Sequence, residues 1–247
     1  MFKKIFAFFM VASMMTSLLS ACGGTTSDND AKKLLKVLND KAIVLLDQPG
    51  WVHVNEKIVY DTDSQDRGTM PNGTAIPLVQ NVDIWYHIND SRLVYQYVWT
   101  MNDKDGQVVE VIVFLNNLLY NLTTNVSNPQ NPYTLTLDYQ FADEMDSFIS
   151  RSGHPVVTTA QVNGKDATVF TLDEKLTAPK TTTDYTQALS AAASIASFDT
   201  QTGLLLKLVR TVILADGTQR TFFTDNITVE TGVQPPLDIQ DYVNGFW

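Results

Sequence analysis

The chain has almost no cysteine. Cys22 is the only one in 247 residues, which excludes an internal disulfide and a cysteine-based metal site. Nor is there a second long apolar run. After Ile5 to Leu19, no segment approaches the roughly twenty residues that a membrane-spanning helix needs. Positive charge is scarce, with 17 Lys and Arg against 27 Asp and Glu. Such a surface repels polyanions, so no nucleic-acid partner is expected. The three histidines, His53, His87 and His154, lie far apart without ligand spacing. His53 and His87 fall in strand-like segments and read as surface or satisfied core imidazoles, with no metal site expected. The run Asp61 to Asp66 invites a calcium reading. It carries Asp66 where a calcium loop needs Gly, and Asn72 where the loop needs Glu. No Gly-x-Ser-x-Gly, phosphate loop or dinucleotide fingerprint occurs. Nothing in the sequence asks for an enzyme or a cofactor.

What is present begins with an export signal. Lys3 and Lys4 form a short positive region, and Ile5 to Leu19 is an apolar or small-residue stretch of signal-peptide length. It ends in Leu19-Ser20-Ala21-Cys22, which matches the bacterial lipobox. The expectation is cleavage before Cys22 and a diacylglycerol on its thiol. One acyl chain holds a protein only marginally, whereas two or more anchor it stably. The chain then divides into a signal peptide (1–21), a lipidated cysteine with a flexible tether (22–30) and one domain (31–247). Removing Lys3 and Lys4 leaves 15 basic against 27 acidic residues, a charge of −12 for the mature part. The expected location is the cell envelope, lipid-anchored on the non-cytoplasmic side of a bacterial membrane.

Ala31 to Asp47 reads as a helix, with Leu34, Leu38, Ala42 and Leu45 at helical spacing and Asp28, Asn29 or Asp30 as cap. From Trp51 the period changes to two. Strands are expected over 51–60, 82–88, 93–101, 107–115, 133–141, 156–162, 166–172, 191–198, 204–215 and 218–229. Tight turns join many of them, most clearly at Asn163-Gly164. Ala142 to Ser152 reads as a short helix, Leu176 to Ala188 as a loop, and the residues after Pro235-Pro236 as a tail. Consecutive hairpins without a strand–helix rhythm predict a mainly β chain with some α. Its architecture would be a single curled antiparallel sheet or half-open barrel of about 9 to 11 strands, with the N-terminal and mid-chain helices packed on it.

Val108 to Leu115 and Leu204 to Val209 are apolar on both faces, so both faces must be covered. Leu93, Tyr95, Tyr97, Trp99 and Met101 form a bulky row at spacing two, and Trp85 precedes them on the neighbouring strand. Spacing two places Tyr95, Tyr97 and Trp99 on one face. The expectation is that Trp85, Tyr95, Tyr97 and Trp99 line a ligand cavity on the concave side. The same row would also serve as plain core.

The order of elements resembles the LolA/LolB and LppX-type lipoprotein carriers, a superfamily that includes the N-terminal domain of RseB-type sensors. The resemblance covers most of the mature chain. It rests on the amphipathic helix leading into Pro49-Gly50-Trp51-Val52, the Tyr- and Trp-bearing hairpin, and Ala196 to Leu204 with its Asp199-x-x-Thr202-Gly203 turn. The resemblance implies a half-open barrel around an apolar cavity. On that basis the expected function is non-catalytic binding of a lipid or acyl chain by a membrane-anchored protein. The alternative is an envelope protein-interaction or sensor module with no bound lipid, and a hydrolase comes third.

Overall fold

The computed structural model describes residues 26–61, 73, 75–91, 93–116, 118–124, 126–129, 155–180 and 189–245. Helix α1 spans Asp28–Leu46. It starts three residues earlier than the tether–domain division at residue 30 implies, because Ser27 is the cap. The Ser27 hydroxyl oxygen accepts from the Asp30 N–H at 3.2 Å, and Asp28 and Asp30 place negative charge at the positive end of the helix. Ala31, Leu35, Leu38, Ala42 and Leu46 recur every three or four residues and form the buried face. The Gln48 amide donates back to the Val44 carbonyl at the far end.

Eleven strands follow among the described residues. They are β1 (Gly50–Tyr60), β2 (Val79–Ile88), β3 (Val94–Asn102), β4 (Val108–Leu115), β5 (Leu118–Asn121), β6 (Val126–Pro129), β7 (Val156–Val162), β8 (Lys165–Lys180), β9 (Leu189–Asp199), β10 (Leu205–Leu214) and β11 (Gln219–Thr231). All belong to one antiparallel sheet, in the order β6-β5-β4-β3-β2-β1-β11-β10-β9-β8-β7. Two meanders thus join where the first strand meets the last, from Val52 opposite Thr231 to Tyr60 opposite Phe223. Among the described residues β6 and β7 do not pair with each other, so the sheet is not closed into a barrel.

Turn chemistry sets the hairpins. Asn163 and Gly164 both have positive φ, 52° and 78°, as a two-residue hairpin turn requires. Asp103 accepts from the N–H groups of Asp105 and Gln107 and shapes the β3–β4 loop. Three features depart from the sequence-based expectation. Strands β5 and β6 are additional. Strand β8 runs through Lys180, into the segment read as a loop from Leu176. The tail contains a helix, α2 (Ile239–Gly245), whose first turn is capped by the Asp238 carboxylate accepting from the Gln240 N–H. The helix expected over 142–152 and the strand over 133–141 lie outside the described residues.

The two-faced strands now have an account. On one face α1 packs over β8, β9, β10 and β11, with Leu35 and Leu38 in a cluster with Phe170, Leu172, Phe198, Leu205 and Ile227. Its C-terminal half sits with Val52, Ile88, Val94 and Leu204. On the other face α2 sets Ile239 and Val243 against Trp51, Trp85, Val98, Val111 and Val113. The β9–β10 turn seats α1 directly. Gly203 has φ +76°, and a Cβ there would lie 1.8 Å from the Leu38 carbonyl oxygen. Lys41 donates to the Thr200 carbonyl at 2.7 Å beside it.

Candidate functional site

Strand alternation sorts the functional side chains onto the two faces. Val52, Val54, Glu56, Ile58 and Tyr60 of β1 share the α1 face. Register places Tyr86 opposite Val52, Ile84 opposite Val54, and Asp225 opposite Ile58. Tyr97 then lies opposite Tyr86, and Trp99 opposite Ile84. Tyr86, Tyr97 and Trp99 pack with Ile58, Val82, Ile84 and Met101. The Tyr86 and Tyr97 rings are 5.4 Å apart. All three aromatic residues are half-buried.

Carboxyl groups accompany these rings. Burial, and then the charge of Asp225, push the Glu56 carboxyl up to about 7. Burial pushes Asp225 up to about 6, and its Oδ1 is buried with no hydrogen-bond partner among the described residues. Tyr86 is pushed up to about 12 by burial and then by Glu56. Tyr97 moves in the same direction, by burial first and then through Tyr86, Glu110 and Glu56. Glu110 is buried and accepts from the Asn121 amide at 2.7 Å. This patch is amphipathic, and Glu56 is about half protonated near neutral pH.

The opposite face carries a second aromatic cluster. His53 stacks on Trp85 at 4.0 Å, and Trp51 stacks on His87 at 4.3 Å. Nε2 of His53 is 2.5 Å from Asp83, and Nδ1 is 3.1 Å from Glu230. A carboxylate accepts from a ring N–H, so a carboxyl at each nitrogen favours the doubly protonated ring. Burial lowers its pKa, the two carboxylates outweigh that, and the net shift is upward. The Trp85 indole N–H donates to the other Asp83 oxygen at 2.8 Å. Both histidines are partnered within the fold. Among the described residues no group of three or more His, Cys, Asp or Glu is arranged to hold a metal ion.

The aromatic row anticipated from the sequence is therefore split. Tyr97 and Trp99 share the α1 face. Trp85 lies opposite Val98 and points to the α2 face. Tyr95 is displaced by an irregularity in the β2–β3 register, where Gln96 faces His87 but Val94 faces Ile88. One extra residue on β3 turns Tyr95 out of phase. Its hydroxyl lies 2.6 Å from Nδ1 of His87, and the residue is 40% exposed. Reasoning from spacing had no signal for that bulge. It also passed over Glu56 and Asp225, which look like ordinary outward-facing polar residues of alternating strands, and gave Tyr86 no part in the site.

An open groove of about 670 Å³ lies elsewhere, between the outer side of α1 and the β9–β10 turn. It is bordered by Val37, Lys41, Val44, Leu45, Gln201 and Thr202 and touches none of the four aromatic residues above.

No protein-family model matches the chain, and no curated protein matches it. Solved structures do. The chain is similar to the Mycobacterium tuberculosis lipoprotein LppX, with 11% identity over 82% of this chain and 97% of that one, at a TM-score of 0.41. It is similar to LprF from Mycobacterium bovis at 11% identity, over 87% of this chain and 99% of that one, with a TM-score of 0.44. A beta-barrel-like protein of unknown function from Brucella abortus matches at 11% identity over 76% of this chain and all of the other, with a TM-score of 0.21. The first belongs to the LppX type named in the sequence resemblance. At these overlaps, nothing about a ligand or a residue's role passes from them to this chain. No described helix is long and apolar enough to cross a membrane.

Proposed function

We propose that the protein is a bacterial lipoprotein, anchored through a diacylglycerol on Cys22, that holds a lipid or other apolar molecule against the α1 face of its sheet without catalysing a reaction. The observation that supports this reading most is the half-buried set Tyr86, Tyr97 and Trp99 beside Glu56 and Asp225, whose carboxyls burial pushes up to about 7 and about 6. Rings with a polar edge accept an acyl chain on their faces and hydrogen-bond at its end. Apolar area removed from water contributes about 25 cal/mol per Å². A carboxyl that is half protonated near pH 7, as Glu56 is, repels an apolar tenant or a fatty-acid headgroup less than an ionised one does.

Two experiments test the two halves of this reading. Cys22→Ser should leave the precursor unprocessed and abolish labelling by a fatty-acid probe. Equal labelling of mutant and wild type would remove the anchor. For the ligand, the protein without its signal peptide is titrated with a fluorescent fatty acid, and Trp99→Ala is measured beside it. Trp99 is half-buried, so its loss should cost less stability than the about 3 to 5 kcal/mol of a fully buried tryptophan. Binding should weaken roughly tenfold, equivalent to about 1.4 kcal/mol. A wild-type protein that extracts from cells without lipid and binds none in titration would end the carrier reading in favour of an interaction module.

A further inference from the structure

The exposed side of α1 does not match the rest of the protein. Val37, Ile43 and Val44 are 51%, 37% and 69% exposed, three large aliphatic side chains within eight residues of one helix. Val37 and Val44 are seven apart, two turns along the same side, and both border the open groove beside the β9–β10 turn. Lys36, next to Val37, and Lys33, one turn from it, lie on the same exposed surface, paired at 3.0 Å with Asp40 and at 3.8 Å with Asp30, and Lys41 borders the groove together with Asp40. Within Asp28–Leu46, four lysines meet three aspartates, so the helix is net positive by one. The mature chain is −12, which leaves −13 on everything else.

That asymmetry has a direction. An anionic lipid surface attracts the lysines of α1 and repels the remaining body, so it orients the molecule with α1 inward. Exposed aliphatic side chains flanked by lysines are the composition that rests at the headgroup–acyl boundary. The covalent geometry agrees. Six residue steps separate Cys22 from Asp28, a reach of at most about 20 Å. A lipid on Cys22 would therefore hold the start of α1 within a Debye length or two of the bilayer.

We infer that the outer face of α1, with Val37, Ile43 and Val44 at its centre, is a membrane-contact surface that lies on the anionic bilayer holding the Cys22 anchor. This rests on the anchor reading. The anchor supplies attachment, and α1 supplies orientation by turning the opposite side of the protein toward the aqueous compartment.

The test uses the full, acylated protein purified from cells and reconstituted in vesicles of phosphatidylcholine and phosphatidylglycerol. Because Cys22 is the chain's one thiol and is consumed by the lipid, Val44→Cys provides a single labelling position for an environment-sensitive fluorophore. Val108→Cys, on the β3–β4 hairpin and 54% exposed, is the reference. The label at position 44 should shift to the blue and be quenched by brominated lipid at least twofold more than the label at 108. Lys33→Gln with Lys36→Gln should reduce that difference. Equal emission and quenching at the two positions, on protein whose mass carries the acyl groups, would overturn the inference and leave the anchor intact. A mature N-terminus whose mass carries no acyl group would overturn both.

Discussion

One methyl group suffices to test how α1 is seated. Asp199 organises the turn beneath it by accepting from the N–H groups of Gln201 and Thr202. Burial pushes the Asp199 pKa up. Those donors, the Thr202 hydroxyl and Lys165 at 3.4 Å outweigh burial and hold it below the ordinary value. The turn so formed presses Gly203 against the backbone of α1. Gly203→Ala should therefore destabilise the protein by more than about 2 kcal/mol, from the positive φ and the collision with Leu38 together. Chemical denaturation measures this, and a change below about 0.5 kcal/mol would mean that the helix is not fixed at that contact. At this scale the sequence is only partly readable. The Asp-x-x-Thr-Gly pattern marked the turn, but nothing in it specified that a helix backbone lies over the glycine. Tyr97 and Trp99 share a face as spacing two requires. Tyr95 and Trp85 do not join them, since a single-residue bulge moves one and plain register on β2 places the other.

Elements were more legible than residues wherever turn chemistry marked their ends. Asn163-Gly164 ends β7 where expected, the Asp103 loop brackets strands within a residue of their expected bounds, and Ala31 to Leu46 carries its periodicity openly. Helix α2 escaped because seven residues give two apolar positions, Ile239 and Val243, too few for a period to stand out. The Asp238 cap was its one local signal. Its weight in the fold is larger than its length. Ile239 is 2% exposed and shares a cluster with Trp51, Trp85, Val98 and Val111. Ile239→Ala should cost about 2 to 4 kcal/mol and shift the tryptophan emission to the red as water reaches Trp51 and Trp85. An unchanged melting temperature and emission spectrum would show that α2 adds nothing to that face.

At the scale of the whole molecule, the buried acids on the α1 face make folding depend on pH in an unusual sense. Most carboxylates have a folded-state pKa below the unfolded one, so they stabilise as pH rises. Glu56 does the opposite, moving from 4.5 to about 7, and Asp225 from 3.8 to about 6. Between those limits the folded protein binds more protons than the unfolded chain, so stability falls as pH rises. His53 adds to the same slope. Its folded pKa lies above 6.5, so its contribution is full below 6.5 and is lost as pH climbs through the raised value. Asp199 opposes this only on the acid side, where its stabilising contribution disappears as pH falls below 3.8 toward its lowered pKa. The melting temperature should therefore peak near pH 5 and decline toward pH 8. For Glu56 alone the decline corresponds to on the order of 3 kcal/mol. Glu56→Gln keeps the shape and removes the charge. It should leave stability at pH 5 nearly unchanged and raise it at pH 8, flattening the profile. A wild-type melting temperature that rises from pH 5 to pH 8, or a Glu56→Gln profile parallel to wild type, would mean that Glu56 is solvated and that the patch beside Tyr86 and Tyr97 is not the low-dielectric surface an apolar ligand requires.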